Sequence, residues 1–344
     1  MTNENYWAGK NVLITGINGF IGGNLAKLLV EKGAYVFGLI RNQSEKSFLY
    51  YEGVARKTVN ILGDILDKEL VSRIISEEEI NVVYHLAAQV EVGVGMQNPF
   101  LTFETNIRGT YTLLEAIRLN SNSIEAAIFA STDKAYGSYG RDMMPYKEDY
   151  PLIPRFPYDT SKACADMLAQ SYTNEIYDLP LVVTRFSNIY GPGQLNFSAL
   201  IPDAIRSALG YTRFIPRSDG SMIRDFIFVA DVTDLYASIA EGLAADPQRI
   251  AGEIFNAGTN SPITVRELLE KVYHSVGNME DFYEVLQLMK NREAVGEISC
   301  QYMDCEKVEN FFNWTPRHSL DEGFKKTIEW YEGWNKANTK MKYE

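Results

Sequence analysis

Short apolar runs alternate with amphipathic stretches along the chain from Lys10 onward. Asn11 to Thr15 and Tyr35 to Ile40 are apolar runs of strand length, and Phe20 to Lys32 between them has helical periodicity. Similar runs predict further strands at Val82 to Leu86, Ala126 to Ser131 and Leu181 to Phe186. Strands that alternate with helices are typical of β-α-β units, so the pattern predicts an α/β protein built on a parallel sheet.

Two further stretches, Asn106 to Leu119 and Ser161 to Ile176, have the period and length of helices. After Gly191-Pro192-Gly193 the pattern changes to loops and mixed elements, which indicates a second lobe. Within this lobe, Asp225 to Ala230 and Glu253 to Ala257 are apolar runs that predict strands returning to the first domain.

We therefore expect a main domain at residues 1–190, with segments from roughly 225–258 returning to it. A smaller C-terminal lobe is expected mainly at 191–335, followed by a polar tail at 336–344. The chain has 344 residues, of which 46% are hydrophobic and 23% charged. That size and composition suit one large α/β core and a smaller lobe.

The net charge of -12 is not offset by any basic stripe along the sequence. A nucleic acid is a polyanion, so this charge argues against one as a partner. A local basic pocket for a small phosphate group is compatible with it.

Three cysteines, Cys164, Cys300 and Cys305, are too few and too irregularly spaced for a disulfide framework or a zinc site, and no metal site is expected. They fit a reducing cytoplasm. The N-terminus has no basic and apolar signal segment, and no apolar run approaches ~18 residues. We expect a cytoplasmic protein without a membrane anchor.

Three glycines follow the first predicted strand in the pattern GxxGxxG and open the first predicted helix. Glycine permits a tight turn and the close approach of a pyrophosphate, and a helix N-terminus offers free N–H groups. The turn therefore predicts a dinucleotide site, the alternative being a tight turn without a ligand. Its candidate cofactor residues are Gly16, Asn18, Gly19, Phe20, Ile21 and Gly22.

The end of the second predicted strand bears on the choice between NAD and NADP, because a carboxylate there would hold the ribose of NAD and repel a 2′-phosphate. Arg41 stands where such a carboxylate would lie, which slightly favours NADP unless Arg41 is a solvated surface residue. Asp64 and Ile65 are expected near the adenine. Leu86, which ends the predicted strand Val82 to Leu86, and the following Ala87 and Ala88 are expected along the cofactor.

Tyr158 and Lys162 are spaced as YxxxK, one helical turn apart. A free tyrosine has a pKa of about 10, but a nearby lysine and a cationic nicotinamide favour its phenolate, which then accepts a proton from an alcohol. Upstream, the tetrad Ser131-Thr132-Asp133-Lys134 ends an apolar run. Asp133 and Lys134 form either a second acid/base pair or an exposed ion pair on a loop.

GxxGxxG, Thr132, YxxxK and Asn188-Ile189-Tyr190-Gly191-Pro192-Gly193 together resemble the extended short-chain dehydrogenase/reductase family over nearly the whole chain. The resemblance implies a Rossmann-type doubly wound parallel sheet with a smaller C-terminal substrate lobe. Epimerases of this family usually carry other residues in place of Asp133-Lys134. The Asp-Lys pair resembles CDP-glucose 4,6-dehydratases and some UDP-N-acetylglucosamine dehydratases, and segments around Trp7 and Trp314 favour the CDP-glucose group.

The resemblance implies a role for each catalytic candidate. Tyr158 would be the base at C4 of the sugar and Thr132 would hydrogen-bond the C4 oxygen. Lys162 would tune Tyr158 and hold the nicotinamide ribose. Asp133 would protonate the departing C6 hydroxyl, and Lys134 would remove H5, which requires a neutral amine.

Substrate residues are also implied by the resemblance. Asn188 would contact the sugar diphosphate and Arg224 would bind its phosphates. Gln89 would bind the substrate, and Arg217 would approach the base or ribose unless it is a solvated loop residue. The family often has a polar residue where Gly93 and Gly95 stand, which leaves the surroundings of C6 open. His85 is interpreted as a core residue.

These features predict an NDP-hexose 4,6-dehydratase, CDP-glucose being the favoured substrate. The cofactor would be tightly held and recycled. The alternatives are an NDP-sugar epimerase of the same family and a non-catalytic scaffold that senses a dinucleotide. The resemblance also implies a homodimer, in which the helices at Asn106 to Leu119 and Ser161 to Ile176 pack as a four-helix interface.

Overall fold

The computed structural model describes residues 6–290, 292 and 298–340. Its centre is a parallel sheet of seven strands. The strands of the described residues are β1 (Asn11–Thr15), β2 (Tyr35–Ile40), β3 (Val59–Leu62), β4 (Val82–His85), β5 (Ala126–Thr132), β6 (Leu181–Phe186), β7 (Asn188–Tyr190), β8 (Ile223–Arg224), β9 (Phe226–Phe228), β10 (Ile254–Ala257), β11 (Ile263–Thr264) and β12 (Cys300–Gln301).

Helices flank the sheet and build the second lobe. In chain order they are α1 (Phe20–Glu31), α2 (Phe48–Tyr51), α3 (Lys68–Glu77), α4 (Val92–Gln97), α5 (Pro99–Phe103), α6 (Gly109–Leu119), α7 (Pro157–Ser171), α8 (Leu200–Ala208), α9 (Val229–Ala245), α10 (Pro247–Ile250), α11 (Val265–Val276), α12 (Met279–Met289), α13 (Glu306–Phe312) and α14 (Leu320–Lys340). None of the helices among the described residues is both long and apolar enough to cross a membrane.

The strand order of the central sheet is β10-β6-β5-β4-β1-β2-β3. The order reverses between β1 and β4, and such a switch point opens a crevice at the carboxyl ends of the strands. The predicted Rossmann-type doubly wound sheet is therefore confirmed. This crevice is where the fold places a ligand.

Both faces of the sheet are buried. Alternate residues of one strand enter different cores: Val12 and Ile14 pack in one cluster, and Leu13 packs in the other. Successive side chains of a strand point to opposite faces, so a strand covered by helices on both sides reads as a continuous apolar run. The second lobe has its own smaller core around α8, α11 and α14.

The predicted bounds of five strands, β1, β2, β4, β5 and β6, agree with the structure to within one residue, whereas β3 was not predicted. One predicted helix was shifted: Ser161 to Ile176 is in fact α7, which begins at Pro157 and ends at Ser171. Proline fits the first helical position because its missing N–H has no partner there. As a result, Tyr158 lies in the first turn of the helix rather than before it.

The other predicted helix, Asn106 to Leu119, begins as a wider π-helical turn over Glu104–Arg108 and continues as α6. Of the two strands expected to return to the main domain, β10 pairs with β6 in the central sheet. The run Asp225 to Ala230 does not join that sheet. Its strand β9 pairs with β7, and α9 begins at Val229.

At the chain ends, residues 1–5 and 341–344 lie outside the described residues. Residues 336–340 of the predicted polar tail belong to α14.

Candidate active site

The turn between β1 and α1 requires glycine, because neighbouring backbone atoms leave no room for a Cβ. Gly16 has φ +75°, and a Cβ at this position would lie 2.8 Å from the amide nitrogen of Ala87. A Cβ at Gly22 would collide with the Gly16 carbonyl oxygen. The first turn of α1 has no side-chain cap, so its N–H groups are available to an anion.

Thr15 joins the ends of β1 and β4 beside this turn. Its hydroxyl oxygen accepts the N–H groups of Leu86 and Ala87, both at 3.2 Å. The ring of His85 is buried between the hydroxyls of Thr15 and Thr110, at 2.9 Å and 3.0 Å. Burial lowers the pKa of His85 to about 3, so the ring is neutral. Its two hydrogen bonds connect the end of β1 to α6.

A cavity of about 700 Å³ lies at the switch point, between the sheet and the second lobe. It brings together most of the residues that were predicted to bind the cofactor, to catalyse the reaction or to bind the substrate. Those that line it are Gly16, Asn18, Gly19, Phe20, Ile21, Gly22, Arg41, Asp64, Ile65, Leu86, Ala87, Ala88, Gln89, Thr132, Asp133, Lys134, Tyr158 and Asn188.

Three predicted site residues are not in this lining. Lys162 is buried beneath it, where its Nζ donates to the carbonyl oxygen of Ala130 at 2.5 Å. Arg217 donates to the carbonyl oxygen of Ser198 at 3.3 Å. Arg224, on β8, is 8% exposed and donates to the carbonyl oxygen of Ile223 at 2.8 Å. Contact of these three with a ligand stays a prediction.

Other lining residues were not predicted from the sequence. They come from segments brought together only by the fold, and include Ser47, Val90, Val92, Thr105, Ser187 and Gln194. Gln194 carries the clearest sequence signal, because a polar residue directly follows the turn Gly191-Pro192-Gly193. Val90 and Val92 are 50% and 40% exposed, which gives this wall an apolar character.

Four buried oxygen atoms of the lining have no hydrogen-bond partner within the described part of the chain. They are Ser131 Oγ, Asp133 Oδ2, Ser187 Oγ and Gln194 Oε1. Buried polar atoms are nearly always satisfied in native proteins. Together with the glycine turn, these atoms fit a polar ligand such as a dinucleotide.

The predicted catalytic residues meet where β5 ends beside the start of α7. The Thr132 hydroxyl donates to Asp133 Oδ1 at 3.1 Å and lowers the pKa of Tyr158. Asp133 is 3% exposed, and burial raises its pKa to about 6 despite the opposing charge of Lys134. A carboxyl group with such a pKa is a competent acid near neutral pH.

Tyr158 and Lys162 have perturbed pKa values for different reasons. Burial raises the pKa of Tyr158 above 10, the Asp159 and Asp133 carboxylates add to this, and the Thr132 hydroxyl opposes it. Burial lowers the pKa of Lys162 to about 8. Acidification of Tyr158 by Lys162 therefore stays a prediction, to be tested with a cofactor bound.

Helix α7, which carries both residues, is anchored by a buried ion pair. Arg185 on β6 donates to both carboxylate oxygens of Asp166, at 2.9 Å and 3.0 Å. Its remaining nitrogen donates to the Tyr136 hydroxyl at 2.9 Å. On the other side, the Asn106 amide donates to the Ser161 hydroxyl at 2.8 Å. These bonds fix the helix relative to the sheet.

Within residues 6–290, 292 and 298–340, no group of three or more His, Cys, Asp or Glu side chains is arranged to hold a metal ion. The fold and the catalytic candidates define an extended short-chain dehydrogenase/reductase, in which a Rossmann sheet presents a Tyr/Lys pair beside the cavity at the switch point.

The comparisons narrow this class to one family. The profile of the family described as GDP-mannose 4,6 dehydratase matches residues 13–327, and the chain belongs to that family of hydro-lyases. A dTDP-D-glucose 4,6-dehydratase of Mus musculus is 32% identical over 342 residues, covering 94% of this chain and 88% of that protein. A CDP-glucose 4,6-dehydratase of Salmonella typhimurium is 29% identical, with 97% and 94% covered.

A trifunctional Arabidopsis thaliana protein named as a UDP-glucose 4,6-dehydratase, epimerase and reductase is 30% identical, and the chain spans 47% of its length. Among solved structures, a dTDP-glucose 4,6-dehydratase of Streptomyces venezuelae with NAD and TYD bound has a TM-score of 0.82 at 26% identity, covering 94% of this chain and 97% of that one. A UDP-glucose 4-epimerase of Thermotoga maritima has a TM-score of 0.79 at 27% identity, with 94% and 99% covered.

Proposed function

We propose that the chain is an NDP-hexose 4,6-dehydratase that forms the 4-keto-6-deoxy sugar, and that CDP-glucose is its favoured substrate. The observation that supports this proposal is that Tyr158, Thr132 and Asp133 line the same cavity and that the Thr132 hydroxyl donates to Asp133 Oδ1 at 3.1 Å. The cavity therefore combines Tyr158, the proposed base at C4, with an acid whose pKa is raised to about 6. Epimerisation at C4 needs no such acid.

The chemistry divides among the chain's own side chains. Tyr158 takes the proton of the C4 hydroxyl, and Thr132 holds the C4 oxygen. A bound nicotinamide would supply the acceptor for the C4 hydride and the donor that returns it to C6. Asp133 gives its proton to the C6 hydroxyl, which departs as water, while Lys134 takes H5. Lys134 then returns a proton to C5 as C6 gains the hydride, and the proton held by Tyr158 restores Asp133 by way of solvent. Asp133 is suited to this step because burial keeps part of it protonated near neutral pH.

The assignment of H5 removal to Lys134 has one electrostatic requirement. The positive charge of Lys134 favours the ionised forms of both Asp133 and Asp159. An amine removes H5 only in its neutral form, so the role of Lys134 is a proposal that the Lys134→Met variant tests.

We propose a nicotinamide dinucleotide as the cofactor, with NADP slightly favoured over NAD. Both dehydratase structures of Bacillus anthracis and Streptomyces venezuelae contain NAD. In this chain, however, Arg41 follows β2 and lines the cavity. A guanidinium group at that position pairs with a 2′-phosphate through charge-assisted hydrogen bonds.

For the substrate, Gln89 is proposed to bind it and Asn188 to contact its sugar diphosphate, and both residues line the cavity. Gln89 is held by Asn106, whose Oδ1 accepts the Gln89 N–H at 2.7 Å. Arg217 and Arg224 are proposed to reach the nucleotide from the second lobe. Arg224 acts electrostatically on Asp133, which places its charge near the reacting end of the cavity.

One panel assay tests the proposed function. The full chain is incubated with CDP-, dTDP-, UDP- and GDP-hexoses, and the products are identified by mass. Loss of one water from a nucleotide hexose supports the dehydratase. The nucleotide whose hexose reacts fastest is identified as the preferred one. Turnover without a change of mass would instead establish the epimerase, which the likeness to the Thermotoga maritima enzyme makes the second candidate.

A homodimer is also part of the proposal. The helices α5, α6 and α7 expose large apolar side chains: Phe100 is 72% exposed, Tyr111 42% and Met167 55%. Packing α6 and α7 against their copies would cover this face as a four-helix interface. Light scattering at micromolar concentration tests it, and a monomeric mass would contradict it.

We retain the domain division at residue 190 and a cytoplasmic location as proposals. The pairing of β10 with β6 supports the return of the later segment to the main domain. Cys164, Cys300 and Cys305 are unpaired in the described chain, as expected in a reducing compartment. Limited proteolysis and fractionation of the producing cells test these two points.

A further inference from the structure

The cavity has two rims that come from distant parts of the sequence. The cofactor-side rim, residues 41–53, begins after β2 and includes Ser47, whose hydroxyl donates to Asn18 of the glycine turn. The nucleotide-side rim, residues 193–199, follows β7. Both rims contribute residues to the cavity wall, so a ligand that fills the cavity touches both.

The two rims meet at one tight contact. Gly193 has φ +91°, and a Cβ at this position would lie 2.6 Å from the Cβ of Phe48. Phe48 is 4% exposed. Displacement of one rim therefore requires a change at the other.

Helix α14 binds the cofactor-side rim through two indole groups. Trp330 Nε1 donates to Glu52 Oε1 at 3.0 Å, and its ring stacks on Phe48 with centroids 6.2 Å apart. One turn later, Trp334 Nε1 donates to the carbonyl oxygen of Lys46 at 2.8 Å. These contacts hold a segment whose residues 41–46 are otherwise exposed.

The same helix binds the nucleotide-side rim. The Tyr331 hydroxyl donates to the carbonyl oxygen of Gln194. The ring of Phe197 lies 6.1 Å from that of Tyr331 and 6.2 Å from that of Trp334. Gln194 matters to a ligand because its buried Oε1 has no partner within the described residues, while its Nε2 donates to Ile189.

From these contacts we infer that Trp330, Tyr331 and Trp334 form a strap that couples the dinucleotide subsite to the nucleotide-sugar subsite. The three are positioning residues, since none of them lines the cavity. A ligand that orders one rim orders the other through the strap, so the second ligand binds at a lower entropic cost. The inference rests on the proposed function, because it requires two nucleotides in one cavity.

The test measures the coupling in both directions on the full chain. Dissociation constants of NAD⁺ and NADP⁺ are determined by calorimetry with and without saturating CDP or dTDP, and those of CDP and dTDP with and without the dinucleotide. We expect each ligand to tighten the other by at least about 5-fold in the parent, equally in both directions. In Trp334→Phe the factor should fall below about 2-fold.

Matched variants separate positioning from folding. Tyr331→Phe removes only the hydroxyl bonded to Gln194 and keeps the ring, so it should weaken the coupling without unfolding the chain. Glu52→Gln keeps an acceptor for Trp330 and should preserve the coupling, whereas Glu52→Ala should lose it. Trp7→Phe is the control, because it removes an indole bond to Glu241 remote from the strap.

The inference is overturned if the parent shows no coupling, if the strap variants couple as strongly as the parent, or if Trp7→Phe loses as much coupling as they do. Failure of the proposed function looks different. In that case the parent binds no dinucleotide or no nucleoside diphosphate, or turns over no nucleotide sugar.

Discussion

Thr132 at the end of β5 and Tyr158 in the first turn of α7 both line the cavity, and the Thr132 hydroxyl donates to Asp133 Oδ1 at 3.1 Å. Thr132 lowers the pKa of Tyr158 while burial and two carboxylates raise it. The tyrosine is thus protonated without ligand, and a nearby positive charge is what would convert it to a base.

Replacing Tyr158 with phenylalanine removes the proposed base at C4 and keeps the ring. Turnover should fall by at least ~10²-fold. The thermal midpoint should change little, because the aromatic ring and its packing are kept. Steady-state kinetics with the substrate from the panel checks this. Tyr283→Phe, at a 61% exposed position, is the control. Near-parental turnover in Tyr158→Phe would remove this residue from the mechanism.

Asp133→Asn and Lys134→Met should each block the loss of water and leave the first oxidation intact, because Tyr158 and Lys162 remain. Substrate should then convert bound NAD(P) to its reduced form, which should accumulate because its hydride has no acceptor at C6. Dihydronicotinamide absorbance or fluorescence measures it. Formation of the 4-keto-6-deoxy product at the parental rate in both variants would show that the pair is structural.

The stability of the chain should depend on pH through Asp133. Burial raises the pKa of Asp133 from 3.8 to about 6, so the folded chain holds this proton more tightly than the unfolded chain. The resulting stabilisation is fully present below about pH 4 and is lost as the pH rises to about 6. Asp133→Asn should therefore be more stable than the parent at pH 7, by on the order of 2 kcal/mol.

Thermal midpoints of the parent and Asp133→Asn between pH 4 and pH 7 test this dependence. The difference between the two should grow with pH across that window. Asp142→Asn, at an exposed carboxylate, should follow the parent at every pH. Parallel curves for the parent and Asp133→Asn would mean that Asp133 titrates as an ordinary carboxyl group.

Arg41→Ala should weaken NADP binding and leave NAD binding nearly unchanged. The loss of a charge-assisted contact with the 2′-phosphate corresponds to ~1.5–3 kcal/mol. Titration of the full chain with each dinucleotide measures it, and Arg56→Ala provides a control in which a nearby arginine outside the cavity lining is removed. Equal, small effects on both dinucleotides would identify Arg41 as a solvated residue.

The sequence predicts the central sheet well because its strands are buried on both faces and read as unbroken apolar runs. The edge strand β3 was not predicted. It has only four residues, and its end residues Val59 and Leu62 are 52% and 66% exposed, so the sequence shows no long buried apolar run there. The start of α7 was missed because the proline at its first position resembles a helix breaker.

The site was predicted where a local motif carries it, as in the glycine turn and in Thr132 to Lys134. Ser187, Gln194 and Val92 were missed, since they reach the cavity only through long-range packing. The position of Lys162 against Ala130 also depends on packing, because YxxxK spacing specifies a helical face and not the partner of the lysine.

The pairing of β10 with β6 has a consequence for how the chain is made. All six residues of β6 are buried, and one edge of that strand is covered only when Ile254–Ala257 arrive, after much of the second lobe has been synthesised. Until then, the edge of this apolar strand is exposed to solvent while the chain is still being translated. The two lobes are interleaved in synthesis, so a chain stopped at residue 190 should need a chaperone to stay out of aggregates.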